Sequence, residues 1–575
     1  MTKKWNYLPL STEEQKAEAA LAERYASCPP VGELLVQRGI KTIDEAEKFF
    51  RPALSDLHDP FLMPDMDKAV TRLNRAMGSK ERIMVFGDYD VDGTTAVALV
   101  YKYLRIYYSN IDFYIPTRYD EGYGVSCRAI DEFAEQGVKL VIILDCGIKA
   151  IEEIEYAKSK GIDFIICDHH VPDDEQPAAC AILNPKMPES TYPFHELSGC
   201  GVGYKFMQAF SISNGIDQTD LQGMLDLVAV SIAADIVPMI GENRILTFHG
   251  LKRLNSNPNV GLRAISKICQ LGGKEITISD VIFKIGPRIN ASGRMQSGRE
   301  AVELLISRDI AEAYEKARNI DQYNKDRKEL DKRITEEANA ILKKRGEKDS
   351  EKKSIVIYNK DWHKGIIGIV ASRLTELYYK PSVVLTLSDG LATGSSRSVQ
   401  GFDIYKAVES ARDLLENFGG HPYAVGLSLK EENIPAFTKR FEDYVAANIL
   451  PSQLRPQLDI DTYINFADIT PEFISILRKF NPFGPWNNKP VFCARGVIDF
   501  GTSKLVGRNL EHIKLELVDN TCGKVFNGIA FNMSQYFDYI HSQKPFDICF
   551  TIEENKHHGV TSTIQLLVKE IHVGK

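Results

Sequence analysis

The run Ile83-Met84-Val85-Phe86 passes directly into Gly87-Asp88-Tyr89-Asp90-Val91-Asp92-Gly93. An unbroken apolar run with an acidic tail suits a strand buried on both faces of a parallel sheet. Two further runs have the same form. Leu140-Val141-Ile142-Ile143-Leu144 leads into Asp145-Cys146-Gly147, and Phe164-Ile165-Ile166-Cys167 into Asp168-His169-His170. Ligands of doubly wound sheets bind beyond the carboxyl ends of the strands, so the three tails are expected in one crevice. Crowded carboxylates cannot all stay ionised without a cation between them. The expectation is a site for divalent metal, with more than one ion.

Taken singly, each tail has a plainer alternative. Asp88, Asp90 and Asp92 alternate and share a face in an extended segment, but such an element also suits a solvated acidic loop. Asp145 before Cys-Gly also suits a simple turn. Two adjacent histidines after an aspartate and a buried run point more specifically to ligation. Asp235, in Ala233-Ala234-Asp235-Ile236-Val237-Pro238, is an acid in an apolar stretch that needs a partner, and a metal is one. Oxygen-rich donors with one or two imidazoles favour Mn²⁺ or Mg²⁺.

Composition sets the bounds. A chain of 575 residues exceeds one core, and three or four domains are expected. A hydrophobic content of 44% with 26% charged residues is that of a soluble globular protein. No apolar stretch has the roughly 18 residues needed to cross a bilayer, and Met1-Thr2-Lys3-Lys4-Trp5 opens no signal-peptide core. The 10 cysteines are scattered without a CxxC pair, as reduced thiols of a cytoplasmic protein would be. The net charge of −8 argues against indiscriminate nucleic-acid binding. It leaves room for a polyanion substrate, because an acidic metal cluster presents cations to phosphate.

Outward from the motifs, residues 1–75 are expected as a helical amino-terminal segment and 76–309 as a doubly wound α/β domain. Asp309 can cap a long helix from Ile310 to about Lys344, with Ala313, Ala317, Ile320, Ile334, Ala338 and Ile341 at helical spacing. A connecting segment of 310–350 thus ends in the charged Gly346-Glu347-Lys348-Asp349-Ser350-Glu351-Lys352-Lys353. A second α/β unit over 351–450 has candidate strands at Ile355-Val356-Ile357-Tyr358 and Ser382-Val383-Val384-Leu385-Thr386-Leu387, and a first helix from Gly365 to Leu377. Over 454–575, short alternating runs such as His512-Ile513-Lys514-Leu515-Glu516-Leu517 suggest a small β-barrel or sandwich.

The four acid and histidine elements, in this order, resemble the DHH phosphoesterase superfamily. Further stretches are similar to motifs of its single-strand-specific exonuclease branch: Pro116-Thr117-Arg118, Gly286-Pro287-Arg288-Ile289-Asn290-Ala291-Ser292-Gly293-Arg294, Trp362-His363-Lys364-Gly365, Gly394-Ser395-Ser396-Arg397 and Gly419-Gly420-His421. The resemblance covers nearly the whole chain. It implies a DHH catalytic domain, the long connecting helix, a DHH-associated domain and a carboxy-terminal OB fold. It also implies two metal ions, with Asp90, Asp92, Asp145, His169 and Asp235 as ligands. His170 would be a further ligand or contact the scissile phosphate, and Asp88 and Asp168 would orient ligands. One segment departs from the pattern. Where the family often has Pro-Phe-Gly-x-Gly-Asn, this chain has Pro482-Phe483-Gly484-Pro485-Trp486-Asn487.

The activity implied is 5′→3′ hydrolysis of single-stranded DNA to 5′-mononucleotides in recombination and repair. A RecQ-type helicase and single-strand-binding protein would be partners, with a cytoplasmic monomer as the working form. The metals would activate water for in-line attack, with Asp145 bridging and Asp145 and His170 as the catalytic pair. Arg118, Arg294, Ser395 and Arg397 are expected to bind the 5′-terminal phosphate, with Arg288 and Asn290 nearby. His363 precedes a helix amino terminus suited to phosphate, and His421 could reach sugar or phosphate. Phe483, Trp486, Tyr536 and Phe537 are candidates for base stacking, with core packing as the alternative. A hydrolase of short oligoribonucleotides, a pyrophosphatase and a non-catalytic scaffold are the competing classes. The extra carboxy-terminal domain, the Gly-Gly-His element and the complete ligand set, respectively, weigh against them.

Overall fold

The computed structural model describes residues 3–117, 121–122, 124–347, 351–519, 521–557 and 561–574. The chain divides into two compact units, one of Pro52–Asn448 with Gly484–Trp486, the other of Met1–Arg51, Ile449–Phe483 and Asn487–Lys575. Among the described residues, no helix is long and apolar enough to cross a membrane.

In the first unit the three apolar runs are adjacent strands. The sheet has five strands in the order Ile111–Tyr114, Arg82–Gly87, Val138–Leu144, Asp163–Cys167, Ala181–Leu183, and every pairing is parallel. Both faces are buried, and period-two alternation sends neighbouring side chains to different cores. Ile83, Val85, Ile142 and Leu144 enter one cluster, and Met84, Phe86, Val141 and Ile143 enter the other. That is why the strands read as unbroken apolar runs. The chain reverses its direction of winding between Arg82–Gly87 and Val138–Leu144, which are paired neighbours. The tails carrying Asp88 to Asp92 and Asp145 therefore flank the topological switch point.

The connecting helix spans Ile310–Lys344, and Asp309 caps it by accepting from the N–H groups of Ala311 and Glu312 at 2.9 Å each. Ala313, Ala317, Ile320, Ile334 and Ala338 are buried as the spacing predicts, but Leu342 is buried in place of Ile341. Beyond it lies a second five-stranded sheet, ordered Leu415–His421, Ala424–Leu429, Leu391–Arg397, Ser382–Ser388, Ile355–Tyr358. Its one parallel pair joins Ile355–Tyr358 to Ser382–Ser388, and the intervening helix is Ile367–Tyr378.

The other unit holds the barrel. Phe492–Asp499 pairs with both Phe546–His557 and His512–Val518, and Thr561–Val573 and Val525–Ala530 complete the ring between them. Closure removes the sheet edges, as in an OB fold. The amino-terminal segment contains a strand the helical reading lacks: Lys4–Tyr7 pairs in parallel with Gln457–Ile460. Four residues are too few to display a period. Leu21, Val31, Leu34 and Leu35 share a core with the barrel's Phe492, Ile513 and Phe550, so residues 1–51 fold with the carboxy-terminal part. In the departing segment, buried Asn487 donates to the carbonyls of Phe480 and Pro482 at 2.8 and 2.9 Å and holds the turn. Phe483, Tyr536 and Phe537 pack against the barrel core, whereas Trp486 is exposed.

Candidate metal centre

Each strand tail has a local reason for its shape. Asp90 caps the helix Val91–Tyr107, its carboxylate accepting from Gly93 N–H at 3.0 Å. A Cβ at Gly93 would lie 2.6 Å from Asp88 N, so only glycine lets the helix start this tightly. Asp145 has φ 61° and Ile236, directly after Asp235, has φ 60°. Left-handed backbone at a non-glycine residue, above all a β-branched one, is strain of the kind that clusters at functional sites. Asp235 ends the helix Leu225–Asp235, so the fourth element arrives from a helix end and not from a strand.

These tails converge. Asp145, His169 and His170 form one group of donors, Asp92, His169 and Asp235 a second, and Asp88, Asp90 and Asp145 a third, each with its atoms within 4.8 Å of one another. His169 Nε2 lies 3.2 Å from Asp145, 3.6 Å from Asp235 and 3.8 Å from Asp92. The structure thus adds Asp88, expected only to orient ligands, to the donors. Asp168 stands outside these three groups. It accepts from the N–H groups of Ile148, His169 and His170, and its Oδ1 lies 2.7 Å from His170 Nδ1.

The groups that fix Asp92 were not legible in the sequence. Gly199 and Cys200, at the start of the helix Gly199–Ser213, donate N–H bonds to its carboxylate at 2.6 and 2.8 Å, and Ser231 Oγ donates at 2.6 Å. A Cβ on Gly199 would lie 2.6 Å from Asp145 Cβ. The small-residue run Ser198-Gly199-Cys200-Gly201 was the available signal.

The electrostatics match a cation. Burial first, then Asp92 and Asp90, push Asp145 and Asp235 well above the ordinary carboxylate range. Burial and Asp92 also raise Asp90. Burial holds His169 neutral, down to about 4. For His170, burial pulls downward but the bond to Asp168 prevails and favours the charged form. Burial would raise Asp168, yet His170 holds it well below the usual range. Both ring nitrogens of His169 are buried with no hydrogen-bond partner among the described residues. Neutral imidazole beside oxygen-dominated donors fits Mn²⁺ or Mg²⁺.

The other expected residues divide into sets. Arg294 donates to Gly365 O at 3.1 Å, and Gly365 N–H donates to His363 Nδ1 at 3.2 Å. A Cβ at Gly368 would lie 3.1 Å from Ser395 Oγ and 3.3 Å from Arg397 Nη2, and Arg397 donates to Ser395 Oγ at 2.8 Å. Arg294, His363, Ser395 and Arg397 are thus linked through the segment 363–368. His421 brings its ring parallel to that of His170, centroids 6.2 Å apart and planes 8° from parallel. Arg288 is engaged elsewhere, pairing with Asp321 at 2.8 Å and donating to Lys284 O. Asn290 is half-buried on the same helix. Arg118 lies outside the described residues.

Three family models match the chain: the DHH family, N-terminal domain, over residues 82–232; the DHHA1 domain over 351–447; and the RecJ OB domain over 460–570. The doubly wound sheet, with acid and histidine clusters at its strand ends, is the architecture of the DHH class. The single-stranded-DNA-specific exonuclease RecJ of Escherichia coli is 32% identical over 568 residues, covering 96% of this chain and 97% of its own. The chain belongs to the RecJ family.

The Bacillus subtilis protein of the same name is 36% identical over 506 residues, which are 88% of this chain but 63% of that relative. The chain therefore spans less than two thirds of the Bacillus protein's length. The crystal structure of RecJ from Thermus thermophilus in complex with Mn²⁺ covers all of this chain at a TM-score of 0.84 and 24% identity, with 80% of that chain matched. The same protein in complex with Mg²⁺ matches at 0.77 and 23%. At that identity the likeness establishes the fold.

Proposed function

We propose that this chain is a single-stranded-DNA-specific exonuclease working 5′→3′, releasing 5′-mononucleotides by two-metal hydrolysis in DNA recombination and repair. The observation that carries it is the meeting of Asp88, Asp90, Asp92, Asp145, His169, His170 and Asp235 at the sheet's switch point.

Asp90, Asp92, Asp145, His169 and Asp235 would hold two Mn²⁺ or Mg²⁺ ions, and Asp145 and His169 each belong to two of the three donor groups. Bound there, such ions activate water and neutralise charge on the phosphate oxygens. The protein's part is positioning. Gly199, Cys200 and Ser231 hold Asp92, so that ligand reaches its site already oriented. Asp168 fixes the ring of His170 and favours its charged form, which suits His170 to hydrogen-bond the scissile phosphate. No side chain is assigned as a covalent nucleophile.

Arg294, His363, Ser395 and Arg397 are assigned to the 5′-terminal phosphate, together with Arg118. A pocket that recognises an end makes the activity exonucleolytic and sets its polarity. His421 is assigned to the sugar or phosphate beside His170. Arg288, which pairs with Asp321, contributes by holding its helix, and Asn290 is assigned to the substrate. In domains, 76–309 would be catalytic, 310–350 connecting, 351–450 the DHH-associated domain and 454–575 the OB fold, after an amino-terminal segment of 1–75. The OB fold extends the track for the strand. The working form is a cytoplasmic monomer partnered by a RecQ-type helicase and single-strand-binding protein.

Digestion of one single-stranded oligonucleotide labelled separately at each end, with Mn²⁺ and with chelator, tests this. Early release of the 5′ label with metal alone is expected. Early 3′ release would reverse the polarity, and cleavage confined to oligomers of a few nucleotides would replace the substrate class.

A further inference from the structure

The strand Ala181–Leu183 forms one edge of the catalytic sheet, and the tail beyond its carboxyl end carries a cation. Leu183 is in register with Cys167, so Asn184-Pro185-Lys186 leaves the sheet beside Asp168-His169-His170. Buried Asn184 fixes this tail. Its amide donates to His170 O at 2.8 Å, and its side-chain oxygen accepts from Lys186 N–H at 2.9 Å. The Lys186 ammonium stands 3.5 Å from the Glu196 carboxylate, and the two side chains are 23% and 31% exposed.

The charge of Lys186 reaches the metal centre. Burial is the largest influence on Asp235, His169 and His421, and the Lys186 charge pulls all three downward. A lysine so placed opposes divalent cations by Coulomb repulsion. Its position is favourable when an anion lies beside both, and the phosphates of a bound strand are such anions.

The two sheets of this unit give the strand a direction. In the catalytic sheet Ile111–Tyr114 is the opposite edge, followed in sequence by Arg118, which is assigned to the 5′-terminal phosphate. The strands leading to Asp90, Asp145 and His169 lie between the two edges. In the second sheet His421 is opposite Ala424, and Ala424 is opposite Arg397. Two strand spacings, about 10 Å, thus separate His421 from Arg397, which is assigned to the same terminal phosphate. The ring of His421 in turn lies parallel to that of His170. In both sheets the groups for the terminal phosphate stand to one side of the metal centre, and in the catalytic sheet Lys186 stands on the other.

Resting on the exonuclease reading, we propose that Lys186 binds the phosphate immediately 3′ of the scissile linkage.

Initial release of the first nucleotide from a 5′-phosphorylated single-stranded oligonucleotide, with Mn²⁺, tests this. One strand is all-phosphate, and the other has a neutral methylphosphonate as its second linkage. Wild type should lose about tenfold in kcat/KM on the methylphosphonate strand. Lys186→Ala should lose about tenfold on the all-phosphate strand and nothing further on the other. Lys186→Arg, which keeps the charge, should retain most of the wild-type rate on the all-phosphate strand. Without DNA, Lys186→Ala should bind Mn²⁺ as tightly as wild type or more tightly, whereas a lysine that merely held the fold would lose metal affinity and cleavage together. Losses from the variant and the methylphosphonate that multiply to about a hundredfold overturn the assignment. So does weaker Mn²⁺ binding in Lys186→Ala. Wild-type cleavage that Lys186→Ala leaves unchanged removes Lys186 alone, whereas no release by wild type from either strand overturns the exonuclease reading and this assignment with it.

Discussion

Asp168 Oδ1 lies 2.7 Å from His170 Nδ1 and also accepts the backbone N–H of His170 at 3.1 Å, so one buried carboxylate sets both the ring and the chain of its neighbour. Asp168→Asn keeps the size but loses the charge that favours imidazolium. Turnover should fall about 10- to 100-fold, the usual cost of losing a partner that orients a group at a metal site. Steady-state cleavage of a labelled oligonucleotide, with circular dichroism to establish folding, checks this.

Asp145 is pressed upward by burial and by Asp92 and Asp90. Asp145→Asn removes that repulsion together with a shared ligand. Cleavage should drop at least about 100-fold, while the melting temperature in chelator should rise. A variant that cleaves at the wild-type rate would rule out the ligand assignment.

The raised pKa values of Asp90, Asp145 and Asp235 predict how metal and pH interact. A carboxyl raised in the folded state contributes stability that is complete below its unfolded pKa and is lost as pH rises through the folded one. Metal-free protein should therefore lose stability through that rise. A cation replaces the lost protons, so the Mn²⁺-induced increase in melting temperature should grow as pH rises through the raised carboxyl range. Thermal melts with Mn²⁺ and with chelator across that range measure it; an increase independent of pH would contradict the coupling.

Gly199 has no room for a side chain beside Asp145. Gly199→Ala should displace Asp145 or the helix end that grips Asp92, destabilising by about 1–3 kcal/mol and lowering metal affinity. Denaturant melts and a Mn²⁺ titration separate the two effects.

Arg397 Nη1 donates to Ser395 Oγ at 2.8 Å, and both are assigned to the terminal phosphate. Arg397→Ala should lower kcat/KM on a 5′-phosphorylated strand about tenfold, with little change on a 5′-hydroxyl strand. Equal losses on both would place Arg397 elsewhere along the track.

Much of the centre was legible because its strands bury both faces. Ile83 to Phe86, Leu140 to Leu144 and Phe164 to Cys167 can only be interior, and an acid at the end of such a run must meet something that compensates it. The long helix was equally plain, since Asp309 marks its start and the alanine and isoleucine spacing marks its buried stripe. Arg288 was not readable in this way. Its motif suggested phosphate, and only the packed structure shows it committed to Asp321.

The sequence by itself determined the chemistry at each strand end, because apolar runs and the acids that follow them are local. The tertiary structure decided which groups meet. It brought Asp235 in from a helix end, set Gly199 and Ser231 against Asp92, laid His421 parallel to His170, and folded Lys4–Tyr7 onto Gln457–Ile460. Each of those contacts joins residues far apart in the chain, and their pairing comes from how buried surfaces fit together, which no local pattern encodes.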